Sequence, residues 1–446
     1  MVLPVDFENN MRGLFGSEYQ QFIDVLTGEP PVSVRINNKT DLVFPNSVPV
    51  KWCDKGFYLN QRPLFTADPL FHAGAYYVQE ASSMFLCQAV MQHFPNAEMV
   101  LDLCAAPGGK STLLTQYLPD NSLLVSNEIV SQRAMILAEN ITKWGNHNVF
   151  VSSNEPRDFA KMEGMFDGIV VDAPCSGEGM FRKNSTAITE WSAANVEMCA
   201  ARQKQILTDV WKALKTNGIL VYSTCTFNRS ENEENVKWIC ENLGAERLFV
   251  DLKGNNNITE TDFGYRFYPH KTLGEGFFIS VLRKTSENTR KQKIKTNKQA
   301  NIKPLKSGDC PFNLDKSKEW KIVNNNNLIR AYEASMFEKF LYLEQNLYRI
   351  QSSLLIAEQK GRDFVPSAAL ALSKCFDIEN VTKKEIDKQT AISFLKRENI
   401  TLSDIEKGFV LLTFEGVPLG WVKNLGNRCN NLYPNSWKIR MNLLLS

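Results

Sequence analysis

Two cysteines follow apolar runs that end abruptly. Cys175 comes after residues 169–174, and Cys225 comes after residues 219–224. A short run of branched apolar residues that stops at small and polar ones is typical of a buried parallel strand. In an open α/β sheet, ligands bind at the carboxyl ends of such strands. The two thiols are therefore predicted to share one pocket, where a thiolate can act as a nucleophile.

A loop of small residues follows another predicted strand and opens a helix. Its residues are Cys104, Ala105, Ala106, Pro107, Gly108, Gly109 and Lys110. Small residues let the backbone approach a ligand, and free amide groups at a helix start favour a carboxylate or phosphate. Glu128 follows the next strand, where a carboxylate can accept two ribose hydroxyls. The pair predicts a nucleoside-containing cofactor, since neither the P-loop spacing nor the third glycine of a dinucleotide fingerprint is present.

Strand and helix patterns alternate between residues 101 and 283, which favours a mostly parallel, doubly wound sheet covered on both faces. Amphipathic helices are predicted at 133–144 and 200–214. The predicted strands are 100–103, 123–127, 149–152, 168–171, 218–223 and 276–282. Their carboxyl ends must position the two thiols and the cofactor loop.

The whole chain has the composition of a globular protein. Its 446 residues are 43% hydrophobic and 22% charged, which excludes fibrous and wholly disordered classes. A net charge of +2 excludes a strongly basic nucleic-acid coat but allows local positive patches. The ten cysteines and four histidines lack disulfide or metal-ligand spacing, so we expect reduced thiols and no metal. Without a leader pattern or an apolar run long enough for a bilayer, we expect a soluble, cytoplasmic protein.

The flanks of the predicted sheet differ from it in pattern. Residues 7–26 show helical spacing, and in the mixed module that follows Arg35 and Lys51 are either phosphate contacts or chance exposed cations. Residues 331–358 are predicted to be helical, and 410–423 to form a hairpin. Beyond it, aromatic and basic residues alternate, a pattern that suits stacking on bases. The aromatic residues, including Trp421 in the hairpin, could instead fill the core of a small barrel.

Three motifs, at residues 104–110, 172–177 and 223–226, carry a resemblance to a known family. They fall in the right order on the right predicted elements, and residues 30–283 resemble the Nop/Sun family of RNA cytosine-5 methyltransferases. The segments that make the chain most similar to the bacterial RsmF-type branch, which acts on 16S ribosomal RNA, are 77–83, 177–183, 266–270 and 420–434.

The resemblance implies an α/β fold, with a Rossmann-like class I methyltransferase sheet, a small N-terminal α/β module and a C-terminal PUA-like RNA-binding module. The expected division is an N-terminal RNA-binding module at 1–60, a catalytic domain at 61–284, a basic flexible linker at 285–310, a helical connecting region at 311–390 and the PUA-like domain at 391–446. The expected cofactor is S-adenosylmethionine, and the expected partner is 16S ribosomal RNA or the small ribosomal subunit, bound by a monomer.

The resemblance also implies roles for single residues. Cys225 would attack carbon 6 of cytosine, which makes carbon 5 nucleophilic, and Cys175 would assist product release. Asp172 would hydrogen-bond the base near its ring nitrogen and also meet the methionine end of the cofactor. Arg133 would orient Glu128 or the ribose, and Lys110 would face the donor carboxylate. Lys183 is a candidate phosphate contact, and both lysines could equally be surface charges.

Three alternatives remain open at this stage. A transfer RNA could be the substrate within the same class of enzyme. In a DNA cytosine-5 methyltransferase the nucleophile would instead be Cys175, in the Pro-Cys motif. A ribosome-assembly protein could keep the cofactor fold without turnover, although a binding scaffold needs no second thiol. Either Asn154 or Glu155 could meet the adenine amino group, because the acidic residue that many relatives carry there has no clear counterpart.

Overall fold

Apolar residues spaced four apart begin the fold, in a computed structural model that describes residues 2–288, 303–305, 309–403 and 405–441. Phe7, Met11 and Phe15 lie on one face of the first helix and are buried. They pack in a cluster that also contains Phe181 and Trp191 of the catalytic domain. The N-terminal helices therefore pack directly against the catalytic domain and share a core with it.

The N-terminal module is a small mixed α/β unit. Its elements are α1 (Val5–Phe15), α2 (Tyr19–Leu26), β1 (Val32–Ile36), β2 (Val48–Pro49), β3 (Gly56–Leu59), α3 (Pro69–His72) and β4 (Tyr76–Val78). The strands form an antiparallel sheet in the order β2-β3-β1-β4. This module carries residues 77–83 to the edge of the catalytic domain.

A ten-stranded sheet forms the centre of the molecule. Its elements up to β9 are α4 (Leu86–His93), β5 (Met99–Asp102), α5 (Gly109–Tyr117), β6 (Leu123–Asn127), α6 (Ser131–Trp144), β7 (Val149–Ser152), β8 (Phe166–Asp172), α7 (Ser185–Glu190), α8 (Ala193–Val210) and β9 (Leu214–Thr224). Those that complete it are α9 (Glu233–Ile239), β10 (Ala245–Leu248), β11 (Thr259–Thr261), β12 (Gly264–Phe267) and β13 (Phe277–Lys284).

The order of the main strands is β11-β12-β13-β9-β8-β5-β6-β7, and β9 to β7 run parallel. The strand order reverses at β5, which is the topological switch point where ligands bind in such sheets. The predicted Rossmann-like sheet is thus confirmed. Cys175, Cys225, Asp172, Glu128 and the loop 104–110 lie at or directly after the carboxyl ends of β5, β6, β8 and β9.

Alternation of apolar side chains along the strands gives the sheet two buried faces. Val100, Val170 and Val221 belong to one core cluster, and Leu101 and Ile169 belong to the other. All of them are almost fully buried. Helices cover both faces, as near-continuous apolar strands require.

The C-terminal part contains more strand than the sequence indicates. Its elements are β14 (Lys303–Pro304), β15 (Trp320–Asn325), β16 (Leu328–Glu333), α10 (Phe337–Asn346), β17 (Arg349–Gln351), β18 (Leu354–Lys360), β19 (Asp363–Pro366), α11 (Ala368–Leu372), β20 (Lys383–Glu385), α12 (Lys388–Leu395), β21 (Gly408–Phe414), β22 (Val417–Asn424) and β23 (Cys429–Asn431). The prediction of a helix over 331–358 is wrong except at α10, because pairing of β16 with β18 overrides the local pattern.

A strand pairing and a shared core are among the contacts that join this C-terminal part to the rest of the chain. Strand β17 extends the central sheet by pairing with β7. The hairpin β21–β22 is confirmed, and its buried face shares a core with Val34 and Tyr76 of the N-terminal module. Most of the predicted linker at 285–310 lies outside the described residues.

Candidate active site

The two predicted thiols lie side by side. Strands β8 and β9 are parallel with Asp172 opposite Ser223, so the loops that follow them leave the sheet at the same level. The Sγ atoms of Cys175 and Cys225 are 3.1 Å apart, and the Cys225 amide donates to the Cys175 sulfur at 3.4 Å. Both residues are free cysteines and partly exposed. The site therefore holds two thiols within reach of one substrate atom.

Contact between the two sulfurs affects the titration of Cys175. The hydrogen bond to Cys225, followed by burial, raises the pKa of Cys175 well above its ordinary value. A thiol whose pKa is raised stays protonated and can donate its S–H. Cys175 can thus donate its S–H to the Cys225 sulfur.

A buried carboxylate joins the two cysteine loops, and sequence reasoning missed it. The Oε2 of Glu231 accepts from the amide of Ser176 at 3.0 Å and from Nε2 of Gln203 at 2.7 Å. Its Oε1 accepts from Nδ2 of Asn228 at 2.7 Å. Ser176 directly follows Cys175, and Asn228 comes three positions after Cys225. The only sequence signal was a polar run directly after a strand-end cysteine.

Asp172 lies at the end of β8 with both carboxylate oxygens in use. Ser223 Oγ donates to Oδ1 at 2.8 Å, and Lys110 Nζ lies 2.8 Å from Oδ2. The partly exposed carboxylate stands between the thiols and the cofactor loop. Lys110 is therefore not an ordinary surface charge, because it links the loop of β5 to the loop of β8.

The loop 104–110 turns tightly into α5. Gly108 has a φ of 116°, and a Cβ on it would lie 3.2 Å from the Leu137 side chain, so only glycine fits without strain. The loop lines a cleft of about 150 Å³. The lining residues are Tyr77, Val78, Gln79, Glu80, Ser83, Cys104, Ala105, Ala106, Pro107, Gly109, Lys110 and Asp172.

Arg35 supports this loop from behind. Its guanidinium is fully buried and donates to Gly109 O at 3.3 Å and to Thr112 Oγ1 at 2.6 Å. The prediction that Arg35 is an exposed cation or a phosphate contact is wrong, because its donors are used to fix the helix start. Lys51 is exposed.

Glu128 is buried at the end of β6. Its Oε1 accepts from the Val130 amide at 3.0 Å, and its Oε2 lies 3.3 Å from Nη1 of Arg133. Arg133 also donates to Ala106 O at 3.1 Å. The geometry thus joins Glu128, Arg133 and the loop 104–110 in one group.

Asp102, the last residue of β5, is also fully buried. Burial raises its pKa to about 7, against the hydrogen bond from Ser111 Oγ at 2.6 Å. Burial therefore favours the protonated form of this carboxyl, which lies behind a loop that also carries Lys110.

The remaining sequence candidates have other partners. The Asn154 side chain accepts from the Tyr348 amide at 2.9 Å, and Glu155 pairs with Arg157 at 2.6 Å. Lys183 lies 3.3 Å from Glu275. Trp421 and Tyr433 are buried, so at these two positions the aromatic residues fill the core instead of offering a surface for bases.

The part of the chain that the structure describes has neither a candidate metal cluster nor a candidate membrane span. No group of three or more histidine, cysteine, aspartate or glutamate side chains there could hold a metal ion. None of the helices there is both long enough and apolar enough to cross a membrane.

Comparison with known families gives three matches along the chain. Residues 89–283 match the family described as 16S rRNA methyltransferase RsmB/F. Residues 3–81 match the N-terminal domain of 16S rRNA methyltransferase RsmF, and residues 381–439 match the methyltransferase RsmF PUA domain.

Relatives are similar to this chain over most of its length. Ribosomal RNA small subunit methyltransferase F of Aliivibrio salmonicida (strain LFI1238) is 32% identical over 412 residues, which cover 86% of this chain and 84% of the relative. The enzyme of that name from Klebsiella pneumoniae (strain 342) is 31% identical over 418 residues, covering 86% and 83%.

Solved structures show the same fold. A crystal structure of NSun6 from Pyrococcus horikoshii with SFG has a TM-score of 0.54 and 21% identity, and the match covers 64% of this chain and 99% of that one. A methyltransferase homolog protein from Pyrococcus horikoshii has a TM-score of 0.54 and 26% identity, covering 62% and 93%. The catalytic sheet and its surroundings are therefore shared with methyltransferases.

Proposed function

This chain belongs to the ribosomal RNA small subunit methyltransferase F family, and from that premise we propose that it methylates carbon 5 of a cytosine in 16S ribosomal RNA. The observation that carries the proposal is the 3.1 Å separation of the Cys175 and Cys225 sulfurs beside Asp172. Methylation of an exocyclic nitrogen or a ribose hydroxyl would need no thiol. A pair of thiols in one cleft suits addition to a pyrimidine ring, followed by elimination.

S-adenosylmethionine is the proposed methyl donor, and when bound it supplies an electrophilic methyl group. The residues present fit it: Glu128 offers a buried carboxylate for ribose hydroxyls, and the loop 104–110 offers small residues and amides at a helix start. Lys110 would meet the donor carboxylate. The NSun6 structure with SFG, an analogue of S-adenosylmethionine, supports the choice.

Cys225 is the proposed nucleophile. Carbon 5 of cytosine is weakly nucleophilic, and addition of the Cys225 thiolate to carbon 6 moves electron density onto it. Asp172 stabilises the adduct by hydrogen-bonding the base edge, where the Lys110 ammonium holds the carboxylate in place. After methylation, loss of the carbon 5 proton restores the ring and breaks the bond between sulfur and carbon 6.

Cys175 is the proposed aid to that last step. Its raised pKa keeps its proton in place, so its S–H can donate to the sulfur that leaves carbon 6. A thiolate that accepts a hydrogen bond is a better leaving group than one without a donor. The two cysteines therefore have different roles although they occupy one site.

The modules on either side of the catalytic domain are proposed to select the RNA. A flipped nucleotide fills the catalytic pocket, whereas folded RNA is recognised over a wider surface by shape and phosphate contacts. The PUA match at 381–439 supports this division. The hairpin β21–β22 shares a core with the N-terminal module, which holds the two modules together.

The test is methyl transfer to small-subunit ribosomal RNA by purified wild type, Cys225→Ala and Cys175→Ala, with the modified position mapped by bisulfite sequencing. We expect 5-methylcytosine with wild type, none with Cys225→Ala, and protein trapped on RNA with Cys175→Ala. Methylation of transfer RNA but not ribosomal RNA would show that the substrate is transfer RNA. RNA binding without transfer under any condition would instead support a scaffold.

A further inference from the structure

Three cations from different parts of the chain meet where the N-terminal module, the catalytic domain and the C-terminal part join. Arg35 and Lys39 come from β1 and the loop after it, and Lys374 comes from the loop after α11. Arg35 and Lys374 lie over the ring of Trp144, the last residue of α6, and Lys39 donates to the carbonyl of the residue before it. None of the three takes part in the catalytic geometry of the thiols.

The two lysines bind only neutral groups. Lys39 Nζ donates to Lys143 O at 2.7 Å and to Leu372 O at 3.4 Å, while Lys374 Nζ donates to Asn146 Oδ1 at 2.9 Å. Within the described ranges, neither ammonium has a carboxylate within ion-pair distance. The end of α6 favours a cation at Lys39 through its exposed carbonyls. No comparable feature accounts for Lys374.

Arg35 adds to the excess of donors. Its guanidinium lies 4.5 Å from the centre of the Trp144 ring, and Lys374 Nζ lies 5.4 Å from it. The partners of the guanidinium are amide, hydroxyl and carbonyl oxygens, not carboxylates. The buried indole N–H of Trp144 has no acceptor in the structure. This junction is therefore rich in positive charge, and no carboxylate of the described residues forms an ion pair with its three cations.

Such an arrangement is costly without a counter-ion. Burial, and then repulsion by Arg35, lowers the pKa of Lys374 to about 7, and burial followed by repulsion from Lys374 lowers the pKa of Lys39. Like charges brought together in a partly buried site disfavour the charged forms of both. An anion between the lysines would reverse that effect.

A cleft at the same place has room for the anion. Its volume is about 320 Å³, and it is open to solvent. Its polar lining consists of Asn38, Lys39, Ser373 and Lys374, and its apolar lining includes Val417 and Pro418 at the start of β22. We propose that this cleft binds a backbone phosphate of the RNA substrate, an inference that rests on the proposed function.

RNA fits this cleft better than a small free anion because of where the cleft lies. The N-terminal module and the C-terminal part both line it, and the C-terminal lining includes two residues of β22 in the segment that matches the PUA domain. Phosphate contacts fix the position of a nucleic acid on a protein. One phosphate held here would set the RNA against both of these parts at once.

The test uses the full-length variants Lys39→Gln, Lys374→Gln and the pair together. RNA affinity is measured over a range of salt concentrations with purified small-subunit ribosomal RNA. Loss of one phosphate contact lowers the slope of log K against log salt by about 0.7–0.9, and we expect that change in the double variant. Lys212→Gln is the matched control, since Lys212 is exposed and does not line the cleft. Affinity for S-adenosylmethionine should not change.

Two results would overturn the proposal. In the first, RNA binding by the double variant has the same salt dependence as that of wild type, and the variant only melts at a higher temperature. The lysines would then destabilise the fold without binding RNA. In the second, inorganic phosphate raises the melting temperature of wild type but not of the variant while RNA binding is unchanged, which would assign the cleft to a small anion.

A further variant covers failure of the double variant to fold. Asn38 is exposed in the cleft, and Asn38→Asp would place a carboxylate there that repels phosphate and pairs with the lysines. We expect weaker RNA binding, and unchanged binding would contradict the proposal. If wild type binds RNA with these properties but transfers no methyl group, the proposed function fails and the phosphate site does not.

Discussion

Glu231 gives the sharpest test of how the two thiols are held. In Glu231→Gln one carboxylate oxygen becomes an NH₂ group, which must face at least one of the donors from Ser176, Gln203 or Asn228. A hydrogen bond to a charged acceptor contributes about 1.5–3 kcal/mol. Burial raises the pKa of Glu231, so the neutral replacement also recovers part of the cost of burying a charge. We therefore expect only a modest net change in stability.

The effect on catalysis should be much larger. Ser176 and Asn228 belong to the loops that carry Cys175 and Cys225, and loss of their common acceptor lets the loops shift. A displacement of about 1 Å at a reacting centre can cost on the order of 100-fold in rate. We expect that loss in the single-turnover rate of methyl transfer, with unchanged affinity for S-adenosylmethionine.

The control is Glu234→Gln, at an exposed carboxylate in the first turn of α9. Asn228→Ala removes one donor of the group without touching the carboxylate and should give a smaller loss of rate. A rate for Glu231→Gln equal to that of Glu234→Gln would refute the reasoning. Equal losses of rate and cofactor affinity would refute it too, because they would indicate general unfolding.

Three further predictions concern the cofactor loop and the core. Burial raises the pKa of Asp102 to about 7, so between about pH 4 and pH 7 the folded state holds this proton while the unfolded state releases it. The free energy of unfolding therefore falls as the pH rises through this range. Asp102→Asn should gain up to about 4 kcal/mol relative to wild type over that range in urea unfolding, and parallel pH profiles would contradict this. Glu128→Gln should weaken S-adenosylmethionine binding at least about tenfold by calorimetry, since charged hydrogen bonds to ribose are lost; unchanged affinity would place the ribose elsewhere. Leu412→Ala, in the core shared with Val34, should cost about 2–5 kcal/mol in one cooperative transition, whereas separate transitions would show that the two modules fold apart.

The central site was predictable because it depends on strand ends. Branched apolar runs mark β8 and β9, and parallel strands bring their carboxyl ends to one edge, so the proximity of Cys175 and Cys225 follows from the pattern alone. The placement of the loop 104–110 beside Asp172 follows in the same way.

What the sequence did not reveal depends on contacts between distant segments. Arg35 looks like a surface cation, yet it is buried because the helix start at Gly109 supplies acceptors for it. Glu231 lies in a polar run whose partners are fixed only when two loops meet. The sequence pattern predicts a helix over part of β16, because a short apolar segment has no clear hydrophobic period. Its pairing with β18 is not visible in the sequence.

The central claim is that Cys225 bonds to the pyrimidine while Cys175 stays protonated beside it. Incubation of the wild type with S-adenosylmethionine and RNA containing 5-fluorocytosine blocks loss of the carbon 5 substituent and traps the adduct. Peptide mapping of the trapped complex by mass spectrometry should place the nucleotide on Cys225. A nucleotide on Cys175, or rapid methylation of ordinary RNA by Cys225→Ala, would contradict the account.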